Sequence, residues 1–181
     1  MRLETGLNGS IITYNGITPN IHPSVFICEG VKIIGDVEIR EGCSIWYNTV
    51  IRGDVNFIRI GKQTNIQDLC MLHVTHDTHP LIIGNNVSVG HGVKLHGATL
   101  NDNCLIGTGA VILDGSVVNS YSIVAAGSLV KENFQVPEGV LVAGTPAQVV
   151  RELTPQELDR INETAKHYLN YVVDYRSQLE D

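Results

Sequence analysis

Residues 21–56 read IHPSVF ICEGVK IIGDVE IREGCS IWYNTV IRGDVN, with isoleucine opening every group of six. Ile21, Ile27, Ile33, Ile39, Ile45 and Ile51 share one register, and Phe57 follows at the same interval. The fifth member of each hexad is small or β-branched: Val25, Val31, Val37, Cys43, Thr49 and Val55. After a short Phe57-Ile-Arg piece the register resumes at Ile60, Ile66 and Leu72. It breaks, returns at Ile83, Val89 and Leu95, and runs from Leu100 through Ile106, Ile112, Val118, Val124, Val130 and Val136 to Val142.

An α-helix cannot hold a period of six, because six residues turn through about one and two-thirds turns and the apolar stripe would wander. A short strand, a bend and another short strand can hold it. Each hexad is then one side of a triangular coil, with the first residue inward and the fifth at a tight corner. Glycines beside the apolar position (Gly84, Gly90, Gly107) are expected where a turn needs a permissive backbone. The reading is an all-β solenoid, a parallel β-helix of about 21 hexads and about seven coils over residues 21–147. A β-sandwich would show irregular turn spacing of about 8–12 residues. Residues 1–20 are a lead-in. At the other end, Thr154-Pro155-Gln156-Glu157 fits an N-cap, a proline at the first helical position and a capping-box glutamate. Leu158, Ile161, Ala165, Tyr168, Leu169, Val172 and Val173 then follow helical spacing, which predicts a C-terminal α-helix over 154–178.

Composition excludes several partners. Hydrophobic residues make up 43% of 181, so the chain can build a core, and its formal net charge of -7 argues against nucleic acid and an anionic membrane surface. The start, Met1-Arg-Leu-Glu-Thr-Gly, carries no apolar leader, and no run nears the roughly 20 residues of a membrane span. The expectation is a soluble, cytoplasmic protein. Cys28, Cys43, Cys70 and Cys104 lack zinc-finger spacing and read as reduced thiols; Cys43, Cys70 and Cys104 fall at small inward positions as core filler.

The repeat also measures position. Ile51, Leu72 and Leu95 open the third sides of successive coils, and Arg52, His73 and His96 follow them. These three should stack about 4.8 Å apart, with Thr75 to Ile82 looped out. Two imidazoles so stacked can lean onto one metal ion at about 2.0–2.1 Å each. His91, in Val89-Gly-His-Gly, shares a different edge with Gln67 and Asp68, while Arg52, Asp54, His73 and His96 share the first. One prism cannot bring all three histidines together. A threefold assembly can, if one edge meets the other edge of a neighbour; this predicts a homotrimer with metal sites between subunits.

The units Ile51-Arg-Gly-Asp54, Asn65-Ile-Gln-Asp68, Leu72-His73, Gly90-His91 and Leu95-His96-Gly resemble the gamma-class carbonic anhydrase family, and in particular its short bacterial branch. The resemblance covers nearly the whole chain, including Ala143-Gly-Thr-Pro-Ala and the C-terminal helix. It implies a left-handed β-helix, a homotrimer, and zinc held by His73 and His96 of one subunit and His91 of the next. It implies that Arg52 ties the interface through Asp54 and a neighbour's Asp68, and that Gln67 sits near the metal-bound solvent. Three neutral imidazoles leave zinc an open position, where a water titrates near pH 7 and can hydrate carbon dioxide, the small-molecule substrate, to bicarbonate. Iron or cobalt would also suit this ligand set. The best-understood members carry a glutamate where this chain has Val55, and a long acidic loop where it has Val74-Thr-His-Asp-Thr-His-Pro80. His76 or His79 in that loop could export the proton instead, since an unperturbed histidine titrates near about pH 6.5. Two other functions share these features. One is a hexapeptide acyltransferase, which uses a single histidine as general base. The other is a metal-binding or assembly protein without turnover.

Overall fold

The computed structural model describes residues 9–179. The start of the lead-in and the reading of no apolar leader rest on residues 1–8, outside that range. The described chain is a parallel β-solenoid of about seven coils, closed by one helix. Its 20 strands are mostly two or three residues long, as a six-residue side demands.

One sheet of 8 strands forms a complete face, running from Phe26–Ile27 to Ala147–Glu152. The other two faces merge into a 12-stranded sheet, because Val50–Ile60 is long enough to turn a corner and pair on both sides of it. All ladders are parallel except the terminal hairpin of Val140–Gly144 with Ala147–Glu152. Before the first hexad, Ser10–Ile12 already joins this sheet by pairing with Lys32–Ile34.

The first-position residues form continuous internal ladders. Ile33, Ile51, Leu72, Leu95, Ile112 and Val130 lie above one another and are fully buried. All four cysteines are buried and free, and burial pushes each thiol up to about 12.

The corner glycines act differently from expectation at one point. Gly84, Gly90 and Gly107 are not the residues with positive φ. They are bare because the next coil lies against them: a β-carbon on Gly90 would stand 2.8 Å from the Ile106 carbonyl oxygen and the Thr108 nitrogen. The left-handed backbone falls later in the hexad, at Asn48, Leu69, Gly92, Gly109 and Gly127 along one corner.

Helix α1 (Pro155–Leu179) lies on the 8-stranded face against Ser44–Ile45 and Ser88–Val89. Its start is a capping box: the Glu157 N–H donates to Thr154 Oγ1 at 3.3 Å, and Thr154 N–H donates back to Glu157 Oε2 at 2.9 Å. Ile161 and Ala165 are its buried residues, and Tyr168 and Tyr175 pack on Trp46 at ring-centroid distances of 5.4 and 5.2 Å. No helix among the described residues is long and apolar enough to cross a membrane.

Candidate metal centre

Met71–His73 and Lys94–His96 are neighbouring parallel strands in register, His96 directly opposite His73. Leu72 and Leu95 point inward, so alternation turns both histidines outward. His73 Nδ1 and His96 Nε2 stand 3.1 Å apart. The far side of each ring meets a carboxylate: His73 Nε2 donates to Asp54 Oδ1 at 3.1 Å, and His96 Nδ1 donates to Asp114 Oδ1 at 2.6 Å.

These carboxylates decide the proton positions. Burial pushes the Asp54 carboxyl up, but hydrogen bonds from Arg52 and His73 outweigh it and hold the group below the usual range. Asp114 is likewise held low, with hydrogen bonds from Thr75 and His96 outweighing burial. Both are therefore ionised at neutral pH and only accept. The ring nitrogen facing each must carry the hydrogen. Burial and the Arg52 charge lower the His73 pKa against the pull of Asp54, so His73 is neutral. With both rings neutral, the two facing nitrogens, 3.1 Å apart, would present lone pairs to one another. A cation shared by the two rings would relieve that arrangement. Two nitrogens at about 2.0–2.1 Å from a tetrahedral ion stand about 3.3 Å apart, which matches the observed spacing.

His91 follows Gly90 on the other edge. Its Nδ1 donates to Asp68 Oδ2 at 2.6 Å, leaving Nε2 directed away from its own chain's carboxylate. Half of the His91 side chain is exposed. Gln67 beside it is buried, its amide nitrogen donating to Asn65 Oδ1 at 3.2 Å while Asn65 Nδ2 donates to Ser88 Oγ at 2.8 Å. The structure thus brings Arg52, Asp54, His73 and His96 together and keeps His91, Asp68 and Gln67 apart from them. Among the described residues of this one chain, no three His, Cys, Asp or Glu side chains are placed to hold a metal.

The looped-out segment is closed by Thr75 and His79, whose backbones exchange hydrogen bonds of 3.0 and 3.4 Å. His76 is exposed, pairs with Asp77 at 2.9 Å, and lines a cavity of about 430 Å³ with Asp54, Val55, Asn56 and Tyr14. His79 turns the other way, with Nδ1 3.0 Å from Thr78 Oγ1. Asp114 and Thr75 are absent from the sequence-derived site. Asp114 lies 18 positions after His96, a whole coil, and that interval is the signal that could have found it. A second groove, of about 290 Å³, was also not foreseen; Trp46, Tyr47, Tyr168, Tyr171 and Tyr175 line it beside Asp68 and His91.

Residues 18–53 match the family described as bacterial transferase hexapeptide (six repeats). The chain is 51% identical over 149 residues to a probable carbonic anhydrase of Methanocaldococcus jannaschii, covering 82% of this chain and 93% of that protein. It is 43% identical over 158 residues to the mitochondrial gamma carbonic anhydrase 2 of Arabidopsis thaliana, covering 84% of this chain. It spans 57% of that plant relative's length. Among solved structures, a hexapeptide transferase family protein from Anaplasma phagocytophilum superposes with a TM-score of 0.88 at 38% identity, covering 91% of this chain and 97% of that one.

Proposed function

Because the chain belongs to the gamma carbonic anhydrase family, we propose that it hydrates carbon dioxide to bicarbonate at a divalent metal held by His73, His91 and His96. The observation that carries this reading is the facing pair of ring nitrogens of His73 and His96, 3.1 Å apart, each ring held from behind by its own carboxylate. The three imidazoles would hold such an ion, which would supply the Lewis acidity that makes water a nucleophile near neutral pH.

The rest is work for the chain's own side chains. In a homotrimer the partner subunit's His91 completes the ligand set, which its outward Nε2 and half-exposed ring support. Zinc suits three imidazoles, and iron or cobalt are alternatives. Arg52, paired with Asp54, ties the edge, and in the trimer it would meet the partner subunit's Asp68. Gln67, anchored by Asn65, has its amide oxygen left to orient the reacting molecule. His76, at the cavity mouth shared with Asp54, exports the proton. Zinc, trimer, these roles and a cytoplasmic setting are parts of one proposal.

Val55 lines that cavity and offers no carboxylate, which favours a second reading: a metal-holding homologue without turnover. One measurement separates the readings on purified full-length protein. Stoichiometric zinc with carbon dioxide hydration supports the proposal. Zinc without hydration supports the second reading. Neither metal nor hydration, with acetyl-coenzyme A bound instead, would move the chain to acyl transfer.

A further inference from the structure

We propose that Asp114 is a positioning residue that fixes which nitrogen His96 turns toward His73, and that Thr75 locks Asp114 in that orientation. The purpose of this arrangement rests on the metal-centre reading above; its geometry does not. Both oxygens of one carboxylate are committed. Oδ1 accepts from His96 Nδ1 at 2.6 Å, and Oδ2 accepts from Thr75 Oγ1 at 2.5 Å. Thr75 is in turn the closing residue of the loop that carries His76 and His79, through its backbone bond to His79.

The chain is bare where these parts meet. A β-carbon on Gly97, next to the histidine, would lie 2.3 Å from Asp114 Oδ1 and 2.7 Å from the His79 β-carbon. Gly97 also holds a φ of +54°, which disfavours any side chain. Carboxylate, loop and ring therefore close over a single glycine.

A neutral imidazole has two tautomers, and the bond made by one nitrogen selects the state of the other. With Asp114 accepting at Nδ1, the His96 Nε2 lone pair faces His73. Without an acceptor there, a share of molecules would aim an N–H at His73 and could not donate to a cation in that position. The loop is thereby fastened to the ligand through one carboxylate, so loop and ring keep their relative places.

The test uses the metal-free, full-length protein with 15N-labelled histidine, read by NMR, together with cobalt(II) affinity by chelator competition. The wild type is expected to show His96 as the single Nδ1–H tautomer. Asp114→Ala is expected to give a tautomer mixture and weaken cobalt(II) binding about 10–100-fold. Asp114→Asn, isosteric and able to present an amide oxygen, recovers part of both. Thr75→Val gives a smaller loss in the same direction. An unchanged tautomer in Asp114→Ala overturns the assignment, even if affinity falls, because the loss would then come from packing alone. If the wild type binds no cobalt(II), the metal-centre reading fails, and the tautomer ratio still decides for or against Asp114.

Discussion

Gly90 and Gly92 flank His91, and the two are glycines for different reasons. A β-carbon on Gly90 would press on the backbone of the next coil, at 2.8 Å from Ile106 and Thr108 and 3.1 Å from Gly107. A β-carbon on Gly92 would meet nothing within 4 Å, but its φ is +68°. Gly92→Ala is therefore expected to cost about 1–2 kcal/mol, the conformational penalty of left-handed backbone. Gly90→Ala is expected to cost about 1–3 kcal/mol through overpacking. It should also shift the His91 ring resonances, which Gly92→Ala would move less. Urea titration and NMR check both. At this scale the sequence was partly legible. The stacking of His73 and His96 was legible because both follow inward leucines in a counted register. The same count put Asp54 on the edge of His73 and Asp68 on the edge of His91, where the structure has them hydrogen-bonded. Asp114 was missed because it announces itself only across a coil, and nothing in Leu113-Asp-Gly names its partner. Gly84, Gly90 and Gly107 were seen beside apolar positions, but composition does not separate freedom of φ from lack of space.

At the scale of elements, helix α1 shows what the repeat does not control. Its seat on the 8-stranded face depends on aromatic contacts of Tyr168 and Tyr175 with Trp46, and its first turn on Glu157. Arg151 holds both oxygens of Glu157, with Nη1 2.7 Å from Oε2 and Nη2 2.8 Å from Oε1. The Arg151 hydrogen bond and the Thr154 backbone pull its pKa from 4.5 down to about 2. The folded value is depressed, so the stabilisation is present above pH 4.5 and lost as pH falls toward about 2. Circular dichroism at the helix band should show Glu157→Gln with less helix at pH 6 and a flatter acid profile across that window. An identical profile would remove Glu157 from the account. The helix itself was readable from its cap and its spacing. Its aromatic groove was not, because Trp46 and Tyr47 belong to a coil more than a hundred residues earlier and only docking brings them under the helix.

At the scale of the whole molecule, the proposed centre is divided between two edges, and this makes a prediction about mixtures. His73→Ala keeps the His91 edge, and His91→Ala keeps the His73–His96 edge. Each variant alone is expected to lose metal binding and hydration. Unfolded together and refolded as random trimers, they should regain about one quarter of wild-type sites, the share of interfaces that join two intact edges. No recovery, with trimers formed, would place all ligands within one chain. The overall form was legible because the same decision is repeated in nearly every hexad. The hand of the coil was not, since periodicity is the same in either sense. Nor was the length of Val50–Ile60, whose turn around a corner joins two faces that the hexads alone would leave separate.

The interval between the paired histidines has a consequence for change over time. His73 and His96 are 23 positions apart in the chain, while His96 and Asp114 are 18 apart, yet both pairs sit on neighbouring coils. The surplus is taken up at one bend, by the segment from Val74 to Pro80. The backbone ladder holds the imidazoles in place however long that bend becomes. The paired imidazoles can therefore be inherited unaltered while the bend beside them gains and loses residues, trying different acids, bases and lids against a fixed pair of rings.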